Sequence, residues 1–458
     1  MKRTLTILLF AVAALPASAK QDTLKYRISL TDKAETTYSL QRPEDFLSGK
    51  AIARRARQRL AMDSTDLPVC DAYVNAICAN GVRVVAKGKW DNFVTVSCND
   101  TTKIDRIAEL PFVRSVEKVW TAPKRDKKRK AKRDSIADKP YRLENPYGLA
   151  YMQLYLSHGD RLHEAGYRGE GMTIAIMDAG FHNADRIDVF DHARIVGTKD
   201  FVGDSPAGVY AESGHGTKVL SCMGANRPHA MVGSAPEASY WLFRTEDEYS
   251  EHLVEQDYWA AAVEYADSVG VDVVNTSLGY FLFDDKSKNY RLRDLDGAYA
   301  LVSRQASRVA GKGMILVCSA GNLGEGPWKK ISPPGDAKDV LTVGAVSMFG
   351  TLAPFSSVGN TADGRIKPDV VAVGLSTRMI GSDGQPATAN GTSFATPVMC
   401  GMVACLWQAR PELTAKQIIT LVRWSGDRAD FPDNIYGYGI PDLWKACQAQ
   451  GDIPESAD

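Results

Sequence analysis

Four short motifs in this chain carry residue types that work together in nucleophilic catalysis. The first is Ile174-Ala-Ile-Met-Asp178-Ala-Gly180, an apolar run ending in an acid and a glycine turn. An acid in that place is held rigidly at a sheet edge, although many α/β proteins end a strand with Asp. The second is Gly214-His215-Gly216-Thr217-Lys218-Val219, a histidine between glycines at the start of a helical pattern. Small neighbours let an imidazole approach a substrate; a surface or core histidine is the structural alternative. The third is Asn390-Gly391-Thr392-Ser393-Phe394-Ala395-Thr396-Pro397, leading into an apolar helix. A serine there often only caps the helix, and the capping signal fits Thr392 or Ser393. The same helix start also presents free N–H groups and a positive dipole end to a developing oxyanion. The fourth is Ser319-Ala320-Gly321-Asn322-Leu323-Gly324, directly after an apolar run. An amide placed so can donate to an oxyanion, or it can simply favour a turn.

These motifs need a frame that brings them together. From about Tyr147 onward, short apolar strands alternate with helical patterns. Strands are predicted at 172–177, 239–243, 271–278, 314–319 and 340–346. Helices are predicted at 215–225, 251–269, 298–310, 393–409 and 414–424. This texture predicts an α/β fold, a mostly parallel sheet with helices on both faces. Active sites of such sheets gather at the carboxyl ends of strands, where all four motifs fall.

Residues 20–122 read as a separate, small α+β unit. Strands are predicted at 24–30, 82–85, 92–97 and 113–119, with helices at 46–60, 74–79 and 102–110. All seven histidines lie beyond this unit, and it has no nucleophile motif. Residues 123–146 form a joint whose run Lys124–Asp134 holds eight basic and two acidic residues. No apolar period supports it, so it reads as a solvated, protease-sensitive linker. It lacks the aromatic support of a nucleic-acid patch, and the formal net charge of zero gives no general case for nucleic acid.

The first residues specify an address. Lys2 and Arg3 precede an apolar run from Leu5 to Leu15, then Pro16 and Ala17-Ser18-Ala19. This is the pattern of a secretory signal peptide, residues 1–19, cut after Ala19. The run is too short for a spanning helix, and no later stretch is long and apolar enough, so no membrane span is expected after signal removal. The expected location is the periplasm, cell surface or medium. The eight cysteines show no C-x-x-C spacing and read mostly as buried thiols, with disulfides as the alternative.

Taken together, the order Asp, His, Ser, spaced 37 and 178 residues apart, is the order seen in subtilisin. From roughly Tyr147 to Cys447 the chain resembles the subtilisin-like serine proteases, the subtilases. The resemblance implies a serine endopeptidase in which Asp178 orients His215, His215 is the general base and Ser393 the nucleophile. It makes Asn322 an oxyanion donor beside the Ser393 backbone N–H. It also implies that Ser277-Leu278-Gly279 pairs with an extended substrate and that Ser319-Ala320-Gly321 walls the pocket for the residue before the cut. Two positions depart from the family pattern: Ala179 stands where Ser or Thr is usual, and Leu220 where Ala is usual. Residues 20–122 resemble the family's inhibitory propeptides by position and size, followed by a catalytic domain at 147–458.

The partners expected are protein or peptide substrates and the chain's own propeptide, acting on a monomer. No redox or organic cofactor is required. Subtilases often bind structural calcium, and Asp294-x-Asp296-Gly297 faintly resembles part of a calcium loop without its remaining ligands. His182, His192, His229 and His252 lack metal spacings, and there is no H-E-x-x-H. The serine motif is not the G-x-S-x-G elbow of α/β-hydrolases. The rival reading is a catalytically inactive binding protein on a subtilase fold, which normally would have lost a triad member.

Overall fold

The computed structural model describes residues 23–122, 136, 142–203 and 208–455. The expected signal peptide and the basic run 124–134 lie outside the described residues.

The N-terminal unit contains β1 (Leu24–Leu30), α1 (Gly49–Arg57), α2 (Asp71–Cys78), β2 (Arg83–Gly88), β3 (Phe93–Cys98), α3 (Thr101–Ala108) and β4 (Val113–Thr121). Its sheet is antiparallel in the order β2-β3-β1-β4. Successive side chains of a strand point to opposite faces, and this sheet uses both. Ile28, Val94 and Val96 pack with Ile77, Ile104 and Ile107 of the unit's own helices. Arg27 and Thr95 point the other way, and both meet Asp257 of the second unit. Strand β3 is therefore buried along its whole length rather than alternately.

The second unit begins with α4 (Tyr151–Tyr155), α5 (Gly159–Glu164), β5 (Thr173–Asp178), β6 (Arg194–Asp200) and α6 (His215–Gly224). A two-residue pair, β7 (Asn226–Arg227) and β8 (Met231–Val232), leads to β9 (Ser239–Arg244), α7 (Val254–Val269), β10 (Val273–Thr276) and α8 (Leu301–Ala306). Then follow β11 (Ile315–Ser319), β12 (Leu341–Val346), β13 (Val370–Val373) and the hairpin β14 (Thr377–Ile380) with β15 (Pro386–Ala389). Helices α9 (Thr392–Ala409), α10 (Ala415–Trp424) and α11 (Leu443–Gln448) complete it. The central sheet is parallel throughout, in the order β13-β12-β11-β10-β5-β9-β6. One face is covered by α6, α9 and α10, the other by α7 and α8, giving two cores on either side. This is the predicted α/β layering. Helix α9 is apolar nearly all round, as suits an interior helix. The helix expected at 298–310 is shorter: α8 ends at Ala306, and a separate 3₁₀ turn at Ala310–Lys312 stops at Gly313.

The two units meet along α7. Lys25 Nζ donates to the Tyr258 hydroxyl at 2.6 Å. The backbone N–H groups of Lys89 and Trp90 donate to the Glu264 carboxylate at 2.5 and 2.9 Å. Arg54 and Arg55, read from sequence only as part of a basic helix, are 2% and 1% exposed and share Asp267 at 2.5 and 2.8 Å. Gln58 bridges two elements of the second unit: it donates to Gly313 O and accepts from the first N–H of α10, both at 2.8 Å. None of the eight cysteines, all of them among the described residues, is in a disulfide. Among the described residues, no helix is long and apolar enough to cross a membrane.

Candidate active site

Every sequence-predicted site residue sits at the carboxyl end of the parallel sheet or at a helix start facing it. Asp178 is the last residue of β5 and is 1% exposed. His215 is the first residue of α6, and its Nδ1 lies 2.9 Å from both Asp178 carboxylate oxygens. That contact requires α6 to approach the turn after β5 closely. Gly216 makes the approach feasible, because a Cβ there would overlap Gly180 O. The Asp178 carboxylate also accepts from Ala179 N–H at 2.8 Å, so the departure at Ala179 leaves the acid with a local donor. Leu220, the second departure, is fully buried in the core under α6.

With Nδ1 against the acid, the opposite nitrogen of His215 is the one left for proton transfer. Burial pulls the His215 pKa down, but the charge and hydrogen bond of Asp178 together raise it by more, so it lies above the ordinary 6.5. A second carboxyl, Glu246, interacts electrostatically with the acid. Burial pushes Glu246 well above the carboxylate range, and the Asp178 charge adds to that push. Glu246 accepts from the Tyr280 hydroxyl at 2.6 Å.

Ser393 is the second residue of α9, and its neighbour Phe394 lies beside the His215 ring with centroids 5.5 Å apart. The Ser393 hydroxyl donates to Ser277 O at 3.1 Å, and the Ser277 hydroxyl donates back to Ser393 O at 3.0 Å. A hydroxyl has one proton, so in this state it is held by Ser277 rather than offered to His215. Catalytic hydrogen bonds often form only with substrate in place. Ser277, directly after β10, thus holds the Ser393 hydroxyl in place.

The start of α9 differs from the sequence expectation. Its N-cap is Gly391, not Thr392 or Ser393. The capping is done from outside the helix: Asn322 Oδ1 accepts from Thr392 N–H at 2.8 Å and from the Thr392 hydroxyl at 3.0 Å. A backbone N–H only donates, so the Asn322 atom facing it must be oxygen. Its NH₂ therefore points away from Thr392, the orientation an oxyanion donor needs. Thr392 also accepts from Gly321 N–H at 3.2 Å, which ties the two loops together. Neither Thr392 nor Asn275, which donates to the Ser277 hydroxyl at 3.1 Å, was singled out as functional from sequence. Its place directly before Ser393 was the available signal for Thr392. The remaining wall residues join up: Ser319 Oγ donates to Leu278 O at 3.2 Å, with Gly279, Ala320 and Gly321 alongside.

Asp294 and Asp296, the faint calcium-loop residues, accept from the N–H groups of Arg291, Ala298 and Tyr299. Among the described residues, no cluster of three or more His, Cys, Asp or Glu side chains is arranged to hold a metal.

This arrangement, an acid, an imidazole, a serine and an amide converging at strand ends, has a counterpart in sequence space. The subtilase family model matches residues 169–439, more than half of the chain. The chain belongs to the subtilase family. It is accordingly a serine-type endopeptidase. A second model, the Bacteroidota propeptide domain of S8 peptidases, matches residues 25–135 and makes the N-terminal unit of this subtilase a propeptide domain.

Similar curated proteins include the serine protease AprX of Bacillus subtilis (strain 168), 27% identical, with 62% of this chain and 67% of the relative covered. Subtilisin DY of Bacillus licheniformis is 28% identical, with 66% and 98% covered. Among solved structures, MycP1 from the ESX-1 type VII secretion system shares the fold. Its TM-score is 0.53 at 22% identity, over 71% of this subtilase and 91% of that chain.

Proposed function

We propose that this subtilase is an exported endopeptidase that works through Asp178, His215 and Ser393 and is held inactive by its own propeptide. The observation that carries the reading is the His215 Nδ1–Asp178 contact at 2.9 Å, with Ser393 at the facing helix start. His215 takes the Ser393 proton as the oxygen attacks a peptide carbonyl. Asp178 stabilises the resulting imidazolium, and Asn322 with the Ser393 N–H stabilises the oxyanion. His215 then protonates the leaving amine, and water releases the acyl-enzyme by the reverse steps. This chemistry needs no redox or organic cofactor, and structural calcium has no part in it.

The proton demand sets a pH dependence. His215 must be neutral to act as base, and its pKa lies above 6.5. Activity is lost as pH falls through that pKa. The acid limb of kcat/KM should therefore lie above pH 6.5, with full activity at neutral to alkaline pH. A pH-rate profile with an optimum below about pH 5, well under the ordinary histidine range, would assign the base elsewhere.

Export rests on the signal-peptide pattern of residues 1–19. Autoinhibition rests on where the propeptide sits. No hydrogen bond or ion pair joins its described residues to Asp178, His215 or Ser393. It is anchored on α7 instead, and β4 ends at Thr121 beside His252, Phe283 and Asp284. Covalent linkage to the catalytic unit gives the propeptide a high effective concentration at the cleft. The experiment follows purified precursor by intact mass and peptide hydrolysis together. Activity should appear as a cut between residues 120 and 140 accumulates. A fully active uncut chain, or a mature N-terminus inside β5, would refute autoinhibition.

A further inference from the structure

We propose that the cleft between the propeptide and the end of β6 binds an amphiphilic anion, of which a medium-chain fatty acid is the simplest form, and that the bound anion holds the propeptide on the catalytic unit. The site itself is independent of the reading above; only the holding effect rests on the proposed autoinhibition.

Strand β2 is an edge of the propeptide sheet, and β6 is an edge of the catalytic sheet. A cleft of about 910 Å³ lies between them, within the roughly 300–1,000 Å³ of ordinary small-ligand sites. Residues 83–87 of the propeptide form one wall and residues 199–203 the other. The floor is α7, whose Ala261, Glu264, Tyr265 and Ser268 recur at helical spacing along one stripe. Val84, Val85, Phe201 and Val202 make much of the walls apolar.

Elsewhere the interface matches opposite charges, as Arg27 does with Asp257 and Arg55 with Asp267. The cleft does not. Lys25, Arg83, Lys87, Lys89 and Lys199 line it against two carboxylates, Asp200 and Glu264, and both of these are committed. Asp200 pairs with Arg244 at 3.0 Å and accepts from the N–H groups of Val202 and Gly203. Glu264 accepts from the N–H groups of Lys89 and Trp90, and burial pushes its pKa up to about 7. Lys89 in turn is paired with Asp267 at 3.4 Å.

Lys87 and Lys199 are left. Lys199 Nζ sits 3.8 Å from the centre of the Tyr265 ring, a cation–π contact in place of an ion pair. Among the described residues, no carboxylate pairs with either lysine. Burial first, and then the charge of Lys87, lower the Lys199 pKa. One lysine belongs to each unit, so at this place like charges oppose docking. An anionic head between them turns the repulsion into attraction. An acyl chain along the valines and rings takes their apolar surface out of water. Because the walls come from different units, the site exists only while the propeptide is docked.

The test uses the full chain with Ser393→Ala, which should stay uncut, and isothermal calorimetry with dodecanoate, inorganic phosphate and the neutral dodecyl maltoside. Dodecanoate should bind at one site per chain. Phosphate and maltoside, each offering half of the chemistry, should bind about ten-fold or more weaker. Lys87→Glu and Lys199→Glu change exposed side chains and should each weaken dodecanoate by about ten-fold or more. The corresponding Gln variants should act in the same direction by less, and mature enzyme freed of propeptide should not bind. In wild-type precursor, dodecanoate should delay the rise of peptide hydrolysis without slowing the cut, because a ligand of the docked state alone stabilises that state. No dodecanoate binding, equal binding of phosphate or maltoside, or unchanged affinity in the lysine variants or the mature enzyme would overturn the proposal. A fully active uncut chain would remove autoinhibition and the holding effect together, while the calorimetric site, measured without turnover, would stand.

Discussion

Ser393→Ala should reduce kcat/KM on the order of 10⁶-fold, because triad members act as a unit and removing one disables the rest. The alanine has no oxygen to attack the carbonyl, and His215 then has no proton to accept. The same change should stop fluorophosphonate labelling, and a precursor that cuts itself should accumulate uncut. Stability should barely move. The Ser393 side chain contributes one recorded hydrogen bond, to Ser277 O. Its loss costs about 0.5–1.5 kcal/mol, the net value of an ordinary hydrogen bond. A Tm close to wild type beside lost turnover separates a chemical defect from a folding defect. Retained turnover would mean that another group attacks.

Asn322 caps α9 in this structure, and the proposed mechanism gives it a second job as oxyanion donor; two substitutions separate the two. Its oxygen caps the start of α9 through Thr392, and its NH₂ is left to meet the oxyanion. Negative charge on the substrate oxygen exists only in the transition state and intermediate, so the donor acts on turnover rather than ground-state binding. Asn322→Asp keeps an oxygen facing Thr392 but loses the donor. It should lower kcat by roughly 10²–10³-fold, the loss typical of one oxyanion-hole donor, at little cost in Tm. Asn322→Ala loses both, so a comparable fall in kcat should come with about 1 kcal/mol of destabilisation from the missing cap. KM should stay within a few-fold in both. A well-folded Asn322→Asp enzyme with near-normal kcat would reduce Asn322 to a cap alone.

Much of this site could be read in the chain because strand ends announce themselves. Asp178, Ser277, Ser319 and Asn322 each follow an apolar run too short for a helix, and His215 and Ser393 each open a helical pattern. Those are local signals, and the structure brings all six to one end of the sheet. What escaped reading depends on tertiary neighbours. Strand β6 shows no continuous apolar run because it is the sheet's edge and half solvated. The burial of Arg54 and Arg55 cannot be seen from a basic helix, since Asp267 lies more than 200 residues away. The cap of α9 was misplaced because its acceptor comes from the loop after β11 and not from the helix's own sequence.

The central claim is that Ser393 is a nucleophile activated by His215 and Asp178. The most direct measurement is to react mature protein with a fluorophosphonate at pH 8 and map the adduct by peptide mass spectrometry, alongside a His215→Ala variant. The account predicts a single stoichiometric adduct on Ser393, with labelling suppressed in the His215 variant. An adduct on any other serine, or undiminished labelling of Ser393 without His215, would contradict it.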